Sequence, residues 1–161
     1  MDDKEIKIQK LDAIIRHKKA VLDICILLSE KLIAEDSKNI DFARKLVANA
    51  FAHDNSKLIA TLEWNHLTNA DEADEMLNIA IRDHSENNFH HPEAHLGGIK
   101  NMPEIYLAEC VADWKARSSE LGTDLKEWIQ TKATKRWKFS PRDKVYKQIM
   151  QYVDMLIPPN L

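Results

Sequence analysis

Apolar positions along the chain recur every three to four residues with no sustained alternation, a pattern that predicts helices and no sheet. Over residues 5–33, Ile14, Val21, Ile24 and Leu28 hold one helical line, and His17 falls on it. A second helix should begin behind a Ser37 or Asn39 cap, with Asp41 in its first turn. Phe42, Ala43, Leu46, Val47, Ala50 and Phe51 make its apolar face, and His53-Asp54 arrives at its C-terminal end. Residues 61–66 continue as helix or irregular chain and carry Glu63 and His66, whose place the pattern does not fix. A third helix is expected from near Asp71, with Ala73, Leu77, Ala80 and Ile81 inward. Its face, stepped by threes and fours, reaches His84, then Asn87 or Asn88, then His91, before Pro92 turns the chain. Pro103 suits the first turn of a fourth helix carrying Tyr106, Leu107, Cys110, Val111 and Trp114, with Asp113 among them, Arg117 one turn on and Gly122 as its stop. Two more helices, over residues 124–134 and 141–157, flank the basic, aromatic segment Lys135-Arg136-Trp137-Lys138-Phe139. The expected fold is a single all-α domain over residues 1–161, a compact bundle of five to seven helices.

Composition narrows this only modestly. A chain of 161 residues, 44% hydrophobic and 30% charged, can bury a core without staples. The net charge of -3 argues against a dedicated nucleic-acid binder. Basic residues nevertheless outnumber acidic ones over residues 115–147, leaving room for an anionic substrate or partner. Cys25 and Cys110 sit inside apolar helical stretches and read as free buried thiols in a reducing compartment. The first residues show no secretory signal and no apolar run is long enough to span a membrane, so a cytoplasmic location is expected; an oligomer stays open.

The candidate chemistry lies where polar residues interrupt apolar faces. An imidazole or carboxylate facing a core is costly unless something satisfies it, and a divalent cation would satisfy His17, His53, Asp54 and Asp113 together. His17 alone would more often be a satisfied core histidine; its partners downstream change that. Adjacent helical residues point about 100° apart, so His53 and Asp54 should share an ion only at the edge of the buried stripe. A denser cluster follows in His84, Asn88, His90, His91 and His95. A helix C-terminus favours one histidine electrostatically, which does not account for four. His84 and His91, two turns apart, should line the same cavity, with His95 brought close by the turn at Pro92, to hold a second metal or the substrate phosphate. A solvated cluster at a helix end is the plainer alternative. Whether His90 or His91 points inward depends on where the helix breaks.

The order His17, His53-Asp54, Asp113 resembles the HD-domain metal-dependent phosphohydrolases, whose members often follow the pair with Gly-Lys. Here Ser56 replaces that Gly and Lys57 is kept. A tighter resemblance is to a small group of bacterial and phage HD-like proteins that combine HDxSK, a His…Asn-x-His-His stretch and Glu-x-x-x-Asp-Trp. These correspond to residues 53–57, to His84 with Asn88-Phe89-His90-His91, and to Glu109 with Asp113-Trp114, about two-thirds of the chain. The resemblance implies an HD-type helical bundle with His17, His53, Asp54 and Asp113 as metal ligands.

Imidazole and carboxylate donors suit manganese, iron, zinc, magnesium or nickel, with one site expected and a second open. The implied activity is hydrolysis of a phosphoester, most simply of a nucleotide, by metal-activated water. Asp54 would be ligand and proton acceptor, and Lys57 would hold the phosphate unless it is a solvated surface lysine. Asn88, His90 and Arg117 are candidate substrate contacts, although Arg117 also fits a surface salt bridge. Two other classes stand beside this one: an HD-type di-iron oxygenase, and a non-enzymatic module whose basic, Trp-containing C-terminal segment contacts nucleic acid or protein.

Overall fold

The middle of the chain's fourth long helical stretch is where apolar and polar requirements meet. The structure is a computed structural model that describes residues 3–67 and 75–157, and among them every regular element is helical. The α-helices are α1 (Asp3–Glu35), α2 (Ile40–Ala52), α3 (Ser56–Ile59), α4 (Thr61–His66), α5 (Glu75–Asn87), α6 (Glu104–Leu121), α7 (Leu125–Trp128), α8 (Thr134–Arg136) and α9 (Lys144–Leu156). A π-helical turn, Ile129–Ala133, joins α7 to α8. The count exceeds five to seven because α3, α4, α7 and α8 are short pieces that sequence periodicity does not separate from their neighbours.

Helix α6 is the central element, packed against α1, α2 and α9 and buried without a break from Leu107 to Ala112. Ala108, Ala112 and Ala116, spaced by four, keep its side chains small and let neighbouring backbones approach. The core joins Val21, Cys25 and Leu28 of α1, Leu46 and Ala50 of α2, Leu107 and Val111 of α6, and Ile149 and Val153 of α9. Each buried Leu, Ile or Val contributes about 1.5–3 kcal/mol. Helix α9 supplies a clean stripe, Val145, Ile149, Tyr152, Val153 and Leu156, and the Tyr152 hydroxyl donates to Glu104 Oε1 at 2.7 Å. Both cysteines are free and buried.

Several local expectations change. Asp36, not Ser37 or Asn39, makes the side-chain cap, accepting from the Lys38 amide, while Asn39 Nδ2 instead donates to the Leu32 carbonyl and ties α2 to α1. Phe51 is 66% exposed, because the buried stripe of α2 runs through Ala43, Leu46 and Ala50 and Phe51 lies about 100° past it. Ile81 is likewise exposed beside the buried Ala80. Asp71 and Ala73 lie outside the described residues. Helix α5 ends at Asn87, so His91 is not two turns along its face; His91 is extended, the conformation a following proline imposes. No helix among the described residues is long and apolar enough to cross a membrane.

Candidate metal centre

Four helices and one loop converge their polar interruptions on a single buried point. His17 comes from α1, His53 caps α2, His84 is on the last turn of α5, and Glu109, Asp113 and Glu120 come from α6. His90 and His91 stand in the loop before Pro92. Asp54 reaches the centre by leaving the helix. Its backbone is left-handed, with φ of 54°, a conformation that Asp tolerates better than most residues. The 100° separation expected of two helical neighbours therefore does not apply, and His53 and Asp54 turn inward together. Lys18 fixes this break by donating to the His53 carbonyl and, at 2.8 Å, to Asn55 Oδ1.

Asp54 sits between two groups. Its Oδ2 lies 3.9 Å from His17 Nε2 and 3.7 Å from His53 Nε2, which together with Asp113 form one set of potential ligands. Its Oδ1 lies 3.2 Å from His84 Nε2 and 3.4 Å from His90 Nε2, which with His91 form a second set. Asp113 Oδ1 is 3.0 Å from His17 Nε2 and 3.9 Å from His53 Nε2. Metal–ligand bonds of about 2.1 Å place donors on one ion roughly 3–4 Å apart, which these separations match. His90 and His91 both belong to the cluster, so the loop does not choose between them.

Behind three imidazoles stands a carboxylate. Glu120 Oε1 accepts from His17 Nδ1 at 2.8 Å, Glu109 Oε1 from His53 Nδ1 at 3.0 Å, and Glu63 Oε2 from His84 Nδ1 at 2.7 Å. A carboxylate accepts, so each ring gives its Nδ1 proton to the carboxylate behind it and turns Nε2 toward the centre. Ser56 steadies the third pair by donating to Glu63 Oε2 at 2.8 Å. His53 Nε2, Asp54 Oδ1, His90 Nε2 and His91 Nε2 are buried without a hydrogen-bond partner, and they are the side-chain atoms of that kind among the described residues. Buried orphans normally cost about 1–3 kcal/mol each, so four in one place call for a cation.

The electrostatics agree. Burial alone would raise the Asp54 pKa, but close approach by His84 and His90, with His53 and the Lys57 ammonium beside it, outweighs it and holds the carboxyl well below the usual range. Asp113 is depressed too, its burial outweighed by His17 and His53. His91 is pushed down to about 3, first by burial and then by His90 and His84, which leaves a neutral imidazole available as a donor. These buried His, Asp and Glu groups can hold a metal ion.

A cavity of about 450 Å³ opens above the centre. His17, Asp54, His84, His91 and Asp113 form its floor, and Lys57, Arg117 and Arg136 bring cations to its walls. Lys57 Nζ rests 2.5 Å from Asp54 Oδ2, and Arg117 donates to Glu120 Oε2 at 2.7 Å while lining the cavity. Arg117 is thus both surface ion pair and cavity wall.

Three expected positions come out differently. His95 does not join the centre: its Nε2 donates to the Phe89 carbonyl at 2.7 Å and its ring lies beside Phe89 and Tyr106, because the 3-10 turn Pro92–Ala94 carries it past. Asn88 is spent on Ser56 Oγ, at 3.1 Å, and on the His84 carbonyl, at 2.8 Å, rather than facing the cavity. His90 is buried beneath it with the ligand atoms, not on its wall. The sequence pattern left Glu63 unplaced and overlooked Glu120. The available signal was the spacing of Glu109, Asp113 and Glu120, by four and then seven, which puts three carboxylates on one helical face.

No curated protein and no solved structure matches this chain. Residues 7–157 match a family of unknown function, DUF5662, and since the match spans nearly the whole sequence, the chain belongs to that family.

Proposed function

We propose that the protein is a metal-dependent phosphohydrolase of the HD type, acting on a phosphoester such as a nucleotide, with Asp54 standing between two groups of residues that would each hold a divalent cation. The observation that carries the reading is the set of four unpartnered buried ligand atoms, converging from both sides of one carboxylate. His17, His53, Asp54 and Asp113 would hold one ion, and Asp54, His84, His90 and His91 the other. Manganese, iron, zinc, magnesium and nickel all accept such donors. Bound there, such ions supply a nucleophilic water near neutral pH and neutralise charge on the phosphoryl oxygens.

The chain's own groups do the rest. Lys57 is positioned to exchange its contact with Asp54 for a substrate phosphate oxygen, and Arg117, one turn beyond Asp113, offers a planar donor pair from the same wall. Asp54, which its surroundings keep ionised, would serve as the ligand shared by both groups. Glu63, Glu109 and Glu120 hold three imidazoles in the tautomer that leaves Nε2 free. An oxygenase would share the ligand set, but three cations around the cavity favour an anionic substrate and hence phosphoester hydrolysis. The two buried free thiols suit the cytoplasm.

The test is metal analysis of the purified protein beside a panel of phosphoesters assayed with added manganese. About two ions per chain and turnover of a phosphoester are expected. A protein that binds metal, turns over no phosphoester and consumes oxygen after anaerobic iron loading would replace this reading with the oxygenase.

A further inference from the structure

Phosphate chemistry requires a charged floor, yet one wall of this cavity is built from indoles. Trp114, Trp128 and Trp137 all line it. Trp114 and Trp137 stack at 5.1 Å with 13° between their planes, and Trp128 meets both edge-on at 5.2 and 6.1 Å. The Arg136 guanidinium lies 4.7 Å over the Trp137 ring and covers that face with a planar cation. Glu93 Oε1 accepts from both Arg136, at 3.1 Å, and Trp137 Nε1, at 3.0 Å, and so pins the wall to the turn that follows His91. At the cavity's rim Ile81 and Leu121 remain 44% and 70% exposed, apolar surface that the fold leaves uncovered.

We infer that this wall is the subsite for a planar conjugated ring carried by the alcohol half of the phosphoester, and that it sets substrate preference. The inference rests on the phosphohydrolase reading for its reaction but on the wall alone for its ligand. Three features select the occupant. The volume, about 450 Å³, suits a molecule of the size of a nucleoside monophosphate and is generous for a small sugar phosphate. Indole faces and a guanidinium plane reward a flat ring by stacking and give nothing comparable to a polyol. An aromatic wall can also receive an organic cation, but Lys57, Arg117 and Arg136 line the same space and would repel one. A neutral ring joined to an anionic phosphate meets both halves of the cavity. Trp114 is buried and serves as backing; Trp128 is half-buried at the cavity, and Trp137, stacked on Trp114, carries the Arg136 guanidinium plane on its ring.

The experiment separates this subsite from the hydrolytic activity by using a ligand without phosphate. Adenosine, which offers no phosphoester to cleave, is titrated into the full-length protein by calorimetry and by tryptophan fluorescence, with ribose as control. Adenosine should bind and quench indole emission while ribose does neither. Trp128→Leu and Trp137→Leu should each weaken adenosine binding by about tenfold to a hundredfold. In each the ratio of kcat/KM for adenosine monophosphate to that for glycerol 3-phosphate should fall by a similar factor, with retained metal content showing that the fold is intact. Adenosine binding without turnover of any phosphoester would uphold the subsite and sink the hydrolase reading. Hydrolysis of glycerol 3-phosphate as efficient as that of adenosine monophosphate, with no adenosine binding to the unaltered protein, would overturn the subsite and leave the hydrolase reading standing.

Discussion

The two sides of α6 are both buried, and they are buried for opposite reasons. Toward α9, Leu107 and Val111 meet Ile149 and Val153, and the nearby polar atom, the Tyr152 hydroxyl, has Glu104 as its acceptor. Toward α1 and α2, Glu109, Asp113 and Glu120 meet His17, His53 and the loop histidines, and four ligand atoms are left facing one another. The first side lowers the free energy of the folded chain by removing apolar area from water. The second raises it until something positively charged arrives. One helix therefore carries the scaffold on one flank and the expected chemistry on the other, and changes on the two flanks should have separable consequences.

The sharpest separation should come from Asp54→Ala. With the carboxylate between the two histidine groups gone, bound metal should be lost and turnover should fall by at least about a thousandfold, the scale of several kcal/mol of charge stabilisation. Thermal melts report the same loss another way. Added manganese at a hundred times its Kd should stabilise the unaltered protein by about 2.7 kcal/mol and the variant not at all. Equal metal-induced shifts in both would mean that the ion binds elsewhere.

Ile149→Ala probes the opposite flank. Truncating a fully buried isoleucine should cost about 2–5 kcal/mol of folding stability while leaving metal per folded chain unchanged. Metal content that declines together with stability at temperatures where the chain is still folded would show that the two flanks are not independent.

The supporting carboxylates refine the comparison further. Glu63→Ala removes the acceptor that fixes the His84 tautomer and should weaken metal binding by about tenfold to a hundredfold without abolishing it. Glu63→Gln keeps an acceptor oxygen at the same reach and should recover much of the loss. If Gln and Ala were equally harmful, the charge of Glu63 rather than its hydrogen bond would be what matters.

What could be read from the sequence divides along the same line. The helices and the apolar flank were legible because 3.6-residue periodicity is a local property, and Val21, Leu28, Leu46, Leu107 and Val111 are buried where that period puts them. His17, His53, Asp54 and Asp113 stood out as polar interruptions of such faces, and the structure gathers them. Non-local or non-helical features were not legible. The left-handed turn at Asp54 depends on Lys18, which is 35 residues away from the His53 carbonyl it holds. The end of α5 at Asn87 defeated a count by threes and fours that would have kept His91 on the helix. Glu63 lies in a short helix with too few turns for a face to be assigned, so its pairing with His84 emerges only in three dimensions.

The smallest effect expected is also the one that most directly tests how far the histidine-rich segment belongs to the centre. His95 follows His91 by four residues and, on sequence, had the same claim to a place among the ligands. In the fold it is half-buried against Phe89 and Tyr106, with its Nε2 proton given to the Phe89 carbonyl. That nitrogen is therefore engaged in holding the loop, and His95 is absent from each group of converging ligand atoms. His95→Ala should cost about 0.5–1.5 kcal/mol, the worth of one hydrogen bond, and leave metal stoichiometry at its original value. His91→Ala, by contrast, removes a half-buried imidazole whose buried Nε2 has no partner within the chain, and should lower the stoichiometry toward one ion. A drop in bound metal for His95→Ala as large as that for His91→Ala would break the distinction, because it would make the loop's packing and the centre's occupancy a single property.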